Sequence, residues 1–474
     1  MRFECRDTRR TNASTMQSWK TGGLNAEMMI KKTWLRTALC VVALSAMALA
    51  PIAAQAAGAP VKIKFWIEQT QDVAMQKMTE WFDLFNRSQD EVRVEIRSAG
   101  EGDEYLQSVR AALASGSDID MWRLFGPSTM PPFADAGLLL DLTPYSAKYN
   151  WKDRFFSYAL ESHSYKGKLM AFPANPETLL LYYNKTEFGK RGWKVPTTWE
   201  ELCATCENIQ KIGRIPIAFG VRGFTPANEW WLSVVFNSAA GPENVYKALT
   251  GQIPWTAQPF VDSIAKLKYM WDKGWIMNKQ MYDVTSDDAV AVWGTQKALM
   301  MMDGSWGVKY APLYAKGFDW ALAPFPAMGA ASPTLPLALG FSVGVNAKTK
   351  HPDAVAKFLN WLTENPKTAV EYGINSNLEF WLPLKKAVPD YLPATTAPKT
   401  ADMYRTIYEA QSSGKYGYAT WTFWSPGTQL YMYEKLPRVL LGLMSIQDYL
   451  KEAQSIFTQE LAAGKVPPVP APAK

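Results

Sequence analysis

The chain has 474 residues, with 50 Lys and Arg against 44 Asp and Glu, 2 His and 4 Cys. That length exceeds one ordinary core, and 48% hydrophobic with 20% charged residues excludes disorder as the main state, so two packed lobes are expected. Trp, at 20, nearly equals Tyr and Phe at 21 each, which suggests that flat indole faces serve more than packing.

In chain order, Lys31, Lys32 and Arg36 precede an apolar run from Thr37 to Leu49, and Ala54-Gln55-Ala56 supplies small residues for cleavage. This is the layout of a secretory signal peptide, with residues 1–27 an upstream extension, and export to the periplasm is expected after cleavage behind Ala56. Cys40 lies within the apolar run, so no lipid anchor is expected. Removing 56 residues leaves 42 basic against 41 acidic groups, and no electrostatic case for nucleic acid remains. Cys203 and Cys206 then remain in a C-x-x-C inside a helix, read as a structural pair or a small disulfide rather than a redox centre.

Val61 to Ile67 reads as a core strand. Met75, Met78, Trp81, Phe82 and Phe85 recur at helical spacing, and Val92 to Ile96 alternates as a second strand. Strand, helix, strand at this interval points to an α/β fold with a parallel sheet. Further helices are predicted at Tyr105–Ala114, from Thr198, at Asp353–Thr363 and at Ser445–Leu461. The Pro-rich stretch from Pro324 to Pro336 suggests a passage between lobes, and the tail from Pro467 to Pro472 is expected to be disordered.

Catalytic parts are scarce. His163 and His351 stand in unrelated contexts, and no phosphate-binding Gly loop is present. Paired carboxylates could still serve a secreted glycoside hydrolase, a remote alternative.

Leu180 to Phe188 (LLYYNKTEF), followed by Gly192-Trp193 and Pro196 to Leu202 (PTTWEEL), resembles extracellular solute-binding proteins of the maltose-binding type. Agreeing segments are Ala114 to Ile119, Ala136 to Leu142, Lys297 to Trp306 and Leu339 to Val345, with Ser117 where the family usually has Pro. The resemblance implies an α/β, two-lobed periplasmic binding protein fold with three interlobe crossings and a central ligand cleft. The N-terminal lobe would take residues 57–173 with 325–370, the C-terminal lobe 174–324 with 371–465, and 466–474 would be a Pro-rich tail. It further implies a monomer that binds a mono- or oligosaccharide, closes about a hinge and delivers it to the permease of an ABC importer, with no catalytic residue, cofactor or metal. The same fold could instead bind a phosphorylated polyol or a polyamine.

Sugar recognition needs flat apolar faces against C–H surfaces, and charged or amide groups for hydroxyls. Positions matching the family's cleft nominate Trp306 and Trp424, with Trp421 as the weaker neighbour of Trp424. Trp230 rather than Trp231 is nominated because adjacent helical positions diverge by about 100°. Trp122, Arg123 and Glu68 lie at strand ends where open α/β sheets bind ligands. Glu177 matches an acid at the first crossing, and Arg222 follows Phe219-Gly220. Trp66, Trp81, Trp199, Trp271 and Trp361 are read as packing.

Overall fold

The computed structural model describes residues 59–472 apart from 69–71, 101, 331, 377 and 379, so the expected leader and cleavage point lie outside the described residues. Its strands are β1 Val61–Ile67, β2 Val92–Ser98, β3 Met121–Leu124, β4 Ser164–Tyr165, β5 Lys168–Leu169 and β6 Phe172–Glu177. They continue with β7 Leu179–Asn184, β8 Ile215–Ala218, β9 Ala298–Gly304, β10 Trp320–Ala323, β11 Pro336–Val345 and β12 Gly417–Tyr418.

Two sheets organise ten of these strands, and β4 and β5 pair with each other in a separate two-stranded sheet. The first runs β12-β11-β3-β1-β2, with β6 also on β11, and the second runs β10-β7-β9-β8. Within the first, β1 pairs in parallel with β2 and β3, as the strand–helix–strand pattern requires, but β11 pairs antiparallel with both β3 and β6. The second sheet is mixed too, since β7 opposes β9 while β8 follows it. The sheets are therefore mixed rather than parallel, because late strands return from the other lobe instead of through a crossover helix.

The chain passes between sheets three times. β6 stays in the first sheet through Glu177 and β7 begins the second at Leu179, so the first passage is at Thr178, beyond the expected limit of 173. The second passage is the Pro-rich stretch between β10 and β11, where the sequence suggested one. After β12 pairs with β11, residues 419–425 lead to helices Pro426–Leu440 and Ile446–Ala462, which pack against Asn228–Val235 and Gln258–Asp272 on the second lobe.

The helices follow the apolar periodicity. In Asp72–Ser88, Met78, Trp81, Phe82 and Phe85 are buried and Trp81 stacks on Tyr372. Thr198 caps Trp199–Lys211 by accepting from the Glu201 N–H, and Ser445 caps the last helix by accepting from the Asp448 N–H. Among the described residues no helix is long and apolar enough to cross a membrane.

One expectation is corrected, and the alternative left open at the C-x-x-C is decided. The tail is packed: Pro467 is buried, Val466 and Val469 rest on the core, and the Tyr418 hydroxyl donates to the Pro470 carbonyl at 2.7 Å. Cys203 and Cys206 are free thiols; burial, then the nearby Glu207, raises the pKa of Cys203 to about 11, and burial, then Cys203, raises that of Cys206. Neither is a reactive thiolate at neutral pH.

Candidate functional site

A cavity of about 320 Å³ lies between the two sheets, walled by both lobes. The first lobe contributes Glu68 directly after β1, Arg123 and Phe125 at the end of β3, Asn175 and Glu177 from β6, and Gly340 from β11. From the second come Glu229 and Trp230 at the start of Asn228–Val235, and Trp306 and Lys309 from the short helix Ser305–Lys309 after β9. Trp421 closes one side. The parallel strands β1 and β3 thus present their carboxyl ends to the cavity, the usual place for a ligand in an open α/β sheet.

Six nominated residues converge here: Glu68, Arg123, Glu177, Trp230, Trp306 and Trp421. The other three do not. Trp122 is in the core against Phe133, because neighbours on a strand face opposite ways and Arg123 takes the cleft side. Trp424 is fully buried between Phe236, with rings parallel at 6.3 Å, and Trp255 at 5.1 Å. It follows helix Thr420–Phe423 in an extended conformation that turns its ring inward, while Trp421, within that helix, reaches the cavity. Arg222 is on the surface, 60% exposed, beside Asp288 at 3.3 Å.

Two glycines let the aromatic and acidic groups take their places. A Cβ on Gly304 would fall 2.2 Å from the ring of Trp306, so the indole lies flat over that backbone. Its orientation is held by Asp303, which accepts hydrogen bonds from the Trp306 indole and the Tyr310 hydroxyl. Trp230 meets Trp306 with ring centres 4.9 Å apart at 59°, and together they form an angled aromatic wall. A Cβ on Gly340 would fall 1.8 Å from Glu177 Oε1, so the Glu177 carboxylate rests directly on the β11 backbone.

The charges are interleaved. Arg123 lies 3.4 Å from Glu68, with its guanidinium over the rings of Phe341 at 4.9 Å and Phe125 at 5.2 Å. Glu68 also accepts from the Gly102 N–H at 2.8 Å. Burial raises the pKa of Glu177, opposed by the positive charges of Arg123 and Lys309. Burial likewise lowers that of Lys309, with Arg123 adding repulsion and Glu177 opposing. Burial takes Glu229 up to about 7 although Gln429 and Thr420 donate to it. These groups suit hydrogen bonding to a polar ligand in a partly dry site, where such bonds strengthen.

Phe125, Asn175, Glu229, Lys309 and Gly340 were not nominated. Asn175 stands two positions from Glu177 on β6 and Phe125 two positions from Arg123 just past the end of β3, so strand periodicity carried one residue further would have found them. Lys309 follows Trp306 by three, the spacing at which side chains eclipse in a 3₁₀ turn. No local signal identifies Gly340, whose role depends on a side chain from another strand.

The family model for bacterial extracellular solute-binding proteins matches residues 68–369. Among curated relatives, the multiple sugar-binding protein of Streptococcus mutans is 24% identical over 310 residues, covering 64% of this chain and 71% of that protein. A probable sugar-binding periplasmic protein of Rhizobium meliloti is 29% identical over 188 residues, covering 39% and 44%. Among solved structures, a chitin oligosaccharide binding protein superposes with a TM-score of 0.70 at 22% identity, over 85% of this chain and all of that one. The GacH receptor of Streptomyces glaucescens, solved with and without acarbose, gives 0.66 at 20% identity, over 85% and 99%. Two lobes, three passages between them and a walled cavity agree with that match, and the chain belongs to the bacterial extracellular solute-binding protein family.

Proposed function

We propose that this solute-binding protein takes a neutral carbohydrate between its lobes and passes it to the permease of an ABC importer, acting as a monomer in the periplasm. The observation that carries the reading is the angled Trp230–Trp306 wall facing interleaved Glu68, Arg123, Glu177 and Lys309 in one interlobe cavity. Indoles match the apolar faces of a pyranose, and the charged groups match its hydroxyls. The sugar-binding names of relatives support the same class. Arg123 and Lys309 each have carboxylates close by, so neither offers the uncompensated charge that a phosphorylated polyol would need. The same two cations weigh against a polyamine. As a member of a binding-protein family the chain is a receptor rather than a glycoside hydrolase.

We further propose that Glu68, Arg123, Glu177, Trp230, Trp306 and Trp421 contact the sugar, and that the lobes meet along the three passages described, which would act as the hinge. Calorimetric titration against a panel of mono- and oligosaccharides tests the reading. Micromolar or tighter binding of at least one sugar is expected, and silence across the panel would reject it.

A further inference from the structure

Beside the inner cavity lies a larger groove of about 760 Å³. The two are continuous, since Phe125, Phe224 and Glu229 line both. The groove is built differently from the cavity. Four prolines line it, Pro131, Pro132, Pro226 and Pro426, and none has a backbone N–H to donate. Leu106, Phe133, Leu138 and Leu430 supply much of the remaining surface, and Leu430 is 45% exposed.

Of the groove's charged side chains, Arg110 is exposed at its edge and Lys465 lies 3.9 Å from Asp135, while the following polar groups are engaged within the protein. Ser128 and Thr129 donate their hydroxyls to the carbonyls of Trp421 and Gly126, at 2.8 and 2.9 Å. Asp135 accepts from Lys166 and from the Tyr165 hydroxyl, at 2.7 and 2.9 Å. Glu460 accepts from the backbone of Gly427 and Thr428 and the hydroxyl of Ser425, capping the helix Pro426–Leu440. Gln429 donates to Glu229. A sugar ring lying on the prolines and leucines would bury hydroxyls there, and each one left without a partner weakens binding. An aryl or alkyl group carries no such hydroxyls.

We infer that the groove holds an apolar aglycone, so that the ligand is a glycoside whose sugar sits in the inner cavity and whose aryl or alkyl substituent lies along Phe125, Phe133 and Leu430. This rests on the carbohydrate reading of the inner cavity. The test compares methyl and phenyl glycosides of glucose, galactose, xylose and N-acetylglucosamine, both anomers, with the free sugars and their disaccharides, by calorimetry on the mature protein.

For a sugar that binds, the phenyl glycoside is expected to bind at least tenfold tighter than the methyl glycoside. Leu430→Gln, and separately Leu106→Gln, should remove most of that gain while leaving methyl glycoside affinity within twofold. Equal affinity for phenyl and methyl glycosides, or a gain seen with the disaccharide and not with the phenyl group, would overturn the inference and leave the carbohydrate reading standing. Absence of binding by every sugar and glycoside would overturn both.

Discussion

Replacing Gly340 by Ala tests whether the Glu177 carboxylate is a ligand contact held in place by the bare β11 backbone. A Cβ there would lie 1.8 Å from Oε1 and 2.0 Å from Cδ of Glu177, and real Cβ contacts essentially never fall under 3.0 Å. The carboxylate must therefore retreat by about 1.2 Å, more than a hydrogen bond tolerates without breaking. Gly340 has no positive φ, so Ala adds no backbone strain and the disturbance is confined to the site. A hydrogen bond to a charged group is worth about 1.5–3 kcal/mol, so ligand affinity should fall roughly 10- to 100-fold. Calorimetric titration of the cognate sugar measures the loss, and a thermal melt monitored by circular dichroism verifies folding. Unchanged affinity in a folded Gly340→Ala protein would refute the placement of Glu177 at the ligand.

Trp306→Ala should weaken sugar binding at least tenfold with a small change in stability, whereas Trp424→Ala, which empties a fully buried site, should cost about 3–5 kcal/mol of stability in urea unfolding. Arg222→Ala should leave affinity within twofold, since its side chain is solvated and remote from the cavity. His163 is buried with Nδ1 donating to the Ala159 carbonyl, so Nε2 accepts from Ser342, and burial lowers its pKa to about 4 against an ordinary 6.5. The unfolded chain takes up a proton below pH 6.5 while the folded one resists it to about 4, so stability from this group is lost as pH falls through that window. Relative to His163→Gln, the wild type should lose about 3 kcal/mol between pH 7.5 and 4 by urea titration. Glu229 shows the opposite sign: with its pKa raised to about 7, the wild type should gain stability over Glu229→Gln as pH falls from 7.5 to 4.5.

Elements with strong local signals were legible in the sequence. The helix Asp72–Ser88 announced itself through Met78, Trp81, Phe82 and Phe85, and the capped starts at Thr198 and Ser445 were readable from a hydroxyl three residues before an acid. Sheet order was not, because β11 reaches β3 and β6 over long sequence separations that leave no periodic mark. The same division runs through the site. Glu68 and Arg123 followed from strand ends, and Trp230 from the angular step along a helix. Trp424 misled because its family position says aromatic without saying which of two neighbouring indoles turns inward. Trp122 misled although alternation with Arg123 excluded having both in the cleft. The tail misled by composition, since prolines that lack N–H donors can still pack, as Pro467 does.

The central claim is that the interlobe cavity selects a neutral carbohydrate. Its most direct test equilibrates the mature, ligand-free protein with an equimolar mixture of neutral sugars, sugar phosphates and polyamines. After rapid desalting, mass spectrometry identifies what is released on denaturation. We predict retention of a neutral sugar, with that retention lost in Trp306→Ala; retention of a phosphate ester or a polyamine instead, or of nothing, would contradict the claim.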